Sequence, residues 1–181
     1  GELSRNALKG WAVEHYHWVS HMPTLNFYIC AHDPKDVINL QVANYGEETD
    51  EERPHLDIVL RFAKVNGADI DQVKKGRGLP TTRAWVDWIT KIALQESWIA
   101  GIAATRVGTE SQSTMLYSKV LPALREKYEY PEVEFEHFWL HSEADIEHGN
   151  RGFEALERHC TSSAQQEEAI HYAREGVRMR W

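Results

Sequence analysis

His141, Asp145 and His148 constrain the fold of this 181-residue chain more than any other feature. Their H-x₃-D-x₂-H spacing sets them at i, i+4 and i+7, which at 3.6 residues per turn is one face of one helix. Phe138 and Trp139 lie beside them, so that face is expected to point into a core. A carboxylate there is costly unless it is paired or bound to a cation. The fold must therefore bring complementary groups from other helices. Mixed nitrogen and oxygen donors suit iron, manganese or zinc better than copper(I) or a thiolate site.

The rest of the sequence reads as helix after helix. Ser4 can cap a helix carrying Leu8, Trp11, Ala12, Trp18 and Val19, which stops at Met22-Pro23. Thr24 to Ala31 is a short apolar segment, and Asp33-Pro34 has the form of an N-cap with proline at N1. The next helix carries Val37, Leu40, Asn44 and Glu48. Another runs from about Pro54 to a stop at Gly67. Residues 68–80 read as a loop. From Thr81 or Thr82 an apolar stripe drifts at helical period through Trp85, Trp88, Ile89, Ile92, Glu96, Ile99, Ala103 and Val107 to Glu110, over about eight turns. A segment from Met115 to Tyr128 is expected to bend at Pro122. Pro131 opens the His141 segment, and Ser162/Ser163 before Gln165/Gln166 has the form of a capping box for a last helix. No hairpin dipeptide sits between alternating apolar runs. The expected class is all-α, a single domain over 1–181 with about seven helices.

The bulk properties exclude several partners. A formal net charge of −8 without a basic block argues against nucleic acid or an anionic membrane. No apolar run approaches the ~20 residues of a membrane span. Two cysteines, Cys30 and Cys160, and no secretory leader pattern suit a reducing, cytoplasmic setting. Ten histidines and seven tryptophans are unusual but assign no function by themselves.

Further donors lie on other segments. Glu110 is in phase with Ile99, Ala103 and Val107, which makes it a core-facing carboxylate. Its alternative role is a buried ion pair with Arg106. Glu96 lies on the same stripe but ~21 Å away at 1.5 Å per residue, so the two cannot serve one site. Glu48 and His55 are seven residues apart, the separation of His141 and His148. The acidic turn around them could instead be a solvated surface. Together these residues form the donor inventory of a di-metal carboxylate site in a bundle core.

With these six residues in place, the sequence resembles the haem-oxygenase-like di-iron oxidases and oxygenases, relatives of the TenA and PqqC folds. That family's pattern is a Glu and a His on one region, a Glu on the next helix and H-x₃-[DE]-x₂-H on a third. Glu48, His55, Glu110, His141, Asp145 and His148 match it. Glu47, Glu51 or Glu52 could replace Glu48, because the spacing to the histidine varies. The resemblance implies a haem-oxygenase-like bundle, two iron ions cycling between Fe(II) and Fe(III), O₂ as co-substrate and an external electron donor. No GxGxxG or P-loop is present to supply a second cofactor. The family usually carries one more helix ahead of the first one here, so a shortened N-terminus is one expectation; a homodimer is left open.

A small, amino-acid-derived metabolite is the expected substrate, converted by C–C cleavage, N-oxygenation or nitrile or alkene formation. Glu14, His17, Trp18 and His21 are the candidate pocket residues. The alternatives are a metal-independent enzyme of TenA or PqqC type, or a non-catalytic iron-binding helical protein. Cys30 and Cys160 fall outside the matching positions, which weighs against a nucleophilic cysteine. Because His141 and His148 are ~10.5 Å apart along a straight helix, residues 137–150 are expected to be distorted or poorly ordered without metal and to tighten when iron and substrate bind, with a helix end at Gly149-Asn150 that is easy to shift.

Overall fold

A computed structural model describes residues 3–31 and 34–180, the Ala144 side chain aside. Every regular element among them is helical: α1 Arg5–Val19, α2 Met22–Cys30, α3 Lys35–Glu48, α4 His55–Val65, α5 Ile70–Lys75, α6 Pro80–Gln95, α7 Trp98–Ile102, a π-helical segment Ala103–Glu110, α8 Ser111–Lys127, a 3₁₀ turn Glu132–Phe135, α9 Glu136–His159 and α10 Ser163–Arg180. The all-α class is as expected. No helix among the described residues is long and apolar enough to cross a membrane.

Local chemistry explains the ends. Ser4 Oγ accepts the Ala7 amide at 3.1 Å and caps α1. Ser162 and Gln165 exchange reciprocal bonds at 3.3 and 3.1 Å, the capping box that opens α10. Gly67, at φ 87°, terminates α4 through the left-handed conformation that glycine tolerates. Asp33 lies outside the described residues, so its capping role has no structural counterpart here.

Four expectations are refined or corrected. The short apolar segment at 24–31 is helical: residues 24–30 belong to α2 and Ala31 is its C-cap, with Pro23 in the first turn where no amide partner is lost. The loop at 68–80 contains α5, whose start is capped by Asp69 accepting from Asp71 and Gln72. The long stripe is not one helix: α6 ends at Gln95, Glu96 turns extended, and Ser97 caps α7 by accepting from Ala100. The rod then runs on through the π segment into α8, with Pro122 inside that helix. Finally, α9 does not stop at Gly149-Asn150 but continues to His159. Gly149 lets Ser111 approach; a Cβ there would stand 3.2 Å from that residue's own.

Two apolar clusters flank a polar layer. One gathers Leu25, Ile29, Val37, Ile89, Ile99 and Ala100. The other gathers Leu8, Ala12, Phe62, Tyr117, Leu121 and Phe138. α10 closes on the π segment at backbone distance, because Gly108 and Gly176 face each other: a Cβ on Gly176 would meet the Ala104 carbonyl at 2.5 Å. This contact brings the end of α10, with Arg180, to the polar layer.

Candidate metal centre

The six expected donors converge in the interior. Glu48, His55, Glu110, His141 and Asp145 are at most 7% exposed, and His148 is fully buried. Glu48 is the last residue of α3 and His55 the first of α4, so a short turn returns the chain to the same point. Glu110 is the last residue of the π segment, and the other three lie on one face of α9.

Glu48 sits at the middle. His55 Nδ1 donates to its Oε2 at 2.9 Å, and ligand atoms of Glu48, His55 and His141 all lie within 4.8 Å of one another. The other oxygen, Oε1, faces His148 Nδ1 at 4.0 Å. That same nitrogen is 3.6 Å from Glu110 Oε2 and 3.8 Å from Asp145 Oδ1. The donors thus form two groups that share one carboxylate. Of the alternatives to Glu48, Glu51 and Glu52 are exposed, and Glu47 stands outside the cluster.

Supporting bonds fix which atoms face inward. His141 Nδ1 donates to the His137 carbonyl at 2.8 Å, leaving Nε2 for the cluster. His148 Nε2 donates to Glu47 Oε2 at 2.6 Å, and Arg151 holds the other Glu47 oxygen at 2.8 Å. Nδ1 of His148 is therefore left as a lone-pair acceptor. Arg106, fully buried, donates to Glu110 Oε1, to Asn26 Oδ1 and, at 3.2 Å, to Gln41 Oε1. Gly152 makes room for it; a Cβ there would come within 2.5 Å of the Arg106 Cβ. The Arg106–Glu110 ion pair and the inward-facing Glu110 are both present, one on each carboxylate oxygen.

The electrostatics fit a cation. Burial alone would raise the Glu48 carboxyl; the hydrogen bond and charge of His55, then His141 and His148, reverse this and hold it at about 2. Burial and then the neighbouring Glu110 charge push the Asp145 carboxyl well above its usual range. Burial lowers His141 to about 4, so its imidazole is neutral, the ligating form. Glu110 Oε2 and His148 Nδ1 are buried with no hydrogen-bond partner, though they face one another across the cluster. Buried groups of this kind need an explanation, and an ion between them satisfies both. A cavity of about 30 Å³, room enough for a water or a bare ion, lies among Glu48, Glu110, His141 and Asp145.

His15, Trp18 and Arg180 line this small cavity and also a cleft of about 700 Å³ that opens beyond it. Of the four expected pocket residues, Trp18 lines both spaces and stacks on Trp85 with ring centroids 3.9 Å apart. Glu14 borders the cleft, but its Oε2 accepts from Leu79 N and Thr82 Oγ1 at 2.8 and 2.6 Å. His17 and His21 do not line the cleft; they line a separate cavity, His17 because two positions from His15 is the other side of α1, and His21 because it lies beyond the end of that helix. His15, on the same helix as Glu14 and Trp18, lines both spaces as well, whereas sequence reasoning missed Arg180, Tyr117 and His137. His137 is fully buried, and its Nε2 lies 3.2 Å from the Tyr117 hydroxyl.

The chain is similar to known proteins. A 4-aminobenzoate synthase of Nitrosomonas europaea is 24% identical over 192 residues, covering 100% of this chain and 78% of its own. A haem-oxygenase-like domain of unknown function from Shewanella denitrificans OS217 superposes with a TM-score of 0.83 at 16% identity, over 98% of this chain and 75% of that one. A TenA homologue from Pseudomonas syringae pv. tomato DC3000 gives 0.81 at 14% identity, over 98% and 77%. The likeness shows that this chain has the haem-oxygenase-like fold. The family model described as iron-containing redox enzyme matches residues 9–181, and the chain belongs to that family.

Proposed function

We propose that this protein is a non-haem di-iron enzyme that uses O₂ to oxidise a small, amino-acid-derived metabolite. The observation that carries the reading is Glu48, whose two oxygens face two donor groups. His55 and His141 would complete one iron site; Glu110, Asp145 and His148 would complete the other. Iron bound there supplies electrons to O₂ and oxidising power toward a substrate. The chain's own part is positioning and exclusion of water. Arg106 fixes Glu110 from behind, Glu47 fixes His148, and the His137 carbonyl fixes His141. Trp18, Val19 and Met22 form the apolar wall of the site cavity.

The cleft favours an enzyme over an iron store. Its volume of about 700 Å³ is within the usual range for small-molecule pockets (about 300–1,000 Å³), and it shares Trp18 with the donor cluster. The Nitrosomonas relative is named for a product carrying an amine and a carboxylate on an aromatic ring. That supports an amino-acid-like substrate and a biosynthetic role; in this reading an external donor supplies the electrons and the setting is cytoplasmic. The test is anaerobic Fe(II) loading followed by O₂ exposure with a panel of amino acids. Two irons per chain and substrate-dependent O₂ consumption are expected; both should be lost in His55→Ala and Asp145→Ala. Retention of two irons and full turnover by either variant would overturn the assignment.

A further inference from the structure

The second large cavity, about 320 Å³, lies between α1, α6 and the chain following α5. Its lining is unlike the rest of an acidic molecule. Lys74, Arg77 and Arg83 bring three fixed cations to one space, against the single carboxylate of Asp87. No ion pair joins these cations among the described residues; Arg83 donates to the Gly78 carbonyl at 3.3 Å. In a chain of net charge −8, unpaired cations gathered around a concavity are a local reversal of the field.

The wall is built rather than incidental. His17 is 9% exposed and lines the cavity, and its imidazole makes no side-chain hydrogen bond among the described residues. Gly76 lies on the edge of that ring: a Cβ there would stand 3.3 Å from His17 Nε2. Gly78, at φ 68°, turns the chain past the same histidine. Glu14 then clamps the turn by accepting from Leu79 N and Thr82 Oγ1. Lys74 and Arg77 are thus displayed from a fastened segment, which lowers the cost of ordering them around a ligand.

We infer that this cavity binds a small phosphate-bearing molecule. Guanidinium groups pair with phosphate oxygens through two parallel N–H bonds, and an ammonium adds a point charge. Two arginines, a lysine and a buried imidazole match a polyanion better than a single carboxylate. The volume is at the low end of small-molecule pockets, about 300 Å³ and above, so the ligand is of metabolite size. The site is separate from the donor cluster and does not depend on the reaction proposed there.

The probes are inorganic phosphate and pyrophosphate, titrated calorimetrically into iron-loaded protein at ~0.15 M salt, where weak surface attraction is screened. Metal-free protein serves as a parallel arm, because ferric iron itself binds phosphate. Saturable pyrophosphate binding of similar strength is expected in both arms. Lys74→Ala and Arg77→Ala should each weaken it by about tenfold, the loss of one charge-assisted contact. Lys64→Ala, on α4, should leave it unchanged. His17→Gln tests the wall without removing a fixed charge and should also weaken binding. Three results would overturn the inference: no saturable binding at this ionic strength, equal binding in the Lys74 and Arg77 variants, or citrate binding as tightly as pyrophosphate.

Discussion

Arg106 offers the sharpest energetic test of the interior. It is fully buried, and its guanidinium is shared among Glu110, Asn26 and Gln41. Arg106→Met keeps much of the volume but leaves the Glu110 carboxylate buried without its cation. Removing one partner of a buried pair costs about 3–5 kcal/mol. For a chain of this size, 1 kcal/mol corresponds to a Tm change of about 2–4 °C, so metal-free Arg106→Met should melt about 6–20 °C below the parent. The double variant Arg106→Met/Glu110→Gln no longer buries an unpaired charge, and should recover at least ~1 kcal/mol of that loss, the desolvation penalty of one group. Urea and thermal unfolding in the presence of a chelator measure both. The reasoning is refuted if Arg106→Met lies within ~1 kcal/mol of the parent, or if the double variant is the less stable of the two. Either result would mean that Glu110 reaches water or another donor in the folded protein.

Other consequences follow from the same contacts. Glu47→Ala frees His148 Nε2 and should weaken iron binding by about 10–100-fold, the usual effect of losing a partner behind a ligand; a chelator competition titration reads this, and unchanged affinity would remove Glu47 from its positioning role. Glu136 is held below the ordinary carboxylate range: burial opposes this, and Arg61 and Arg53 outweigh it. Its contribution to stability is therefore present above the unfolded pKa and lost as pH falls through the folded one, so Glu136→Gln should flatten the acid limb of unfolding below pH ~4.5, and an unchanged limb would count against the pairing. Iron loading should raise hydrogen-exchange protection over 103–110 and 137–150, because it relieves the crowding of Glu48, Glu110 and Asp145; equal, strong protection with and without iron would refute this.

Much of the fold was legible because its signals are local. Ser4 and the Ser162–Gln165 pair announce helix starts through side chains that satisfy free amides, and the face shared by His141, Asp145 and His148 follows from helical spacing alone. The break at Glu96-Ser97 was hidden, since Ile92 and Ile99 keep the apolar period across it and both are buried. Yet Ser97 is a capping residue, and it does accept the Ala100 amide at 3.2 Å. The layer behind the donors also left a trace. Gln41 and Asn44 are seven and four residues before Glu48, on its face of α3, and each is 1% exposed. His137 precedes His141 by one turn. Polar residues in phase with a ligand mark its supports, although phase alone does not tell which far residue they touch. Arg180 had no such mark, because its place depends on α10 meeting the π segment at Gly108 and Gly176.

The distortion that brings the donors together falls on the partners of α9 rather than on α9 itself. A regular helix offers inward positions only at fixed intervals, and His141, Asp145 and His148 use three of them. The remaining ligands must then be adjusted to those positions. Glu48 and His55 stand at the end of one helix and the start of the next, where backbone direction is set by the connecting turn. Glu110 ends a π segment, in which the Thr109 hydroxyl donates to the carbonyl of Ala104, five residues back. Such a segment rotates the following side chains relative to an α-helix, and irregularities of this kind concentrate at functional sites. Here the rotation aims one oxygen of Glu110 at His148 while leaving the other on Arg106. The unbroken helix defines the site, and the irregular segments complete it.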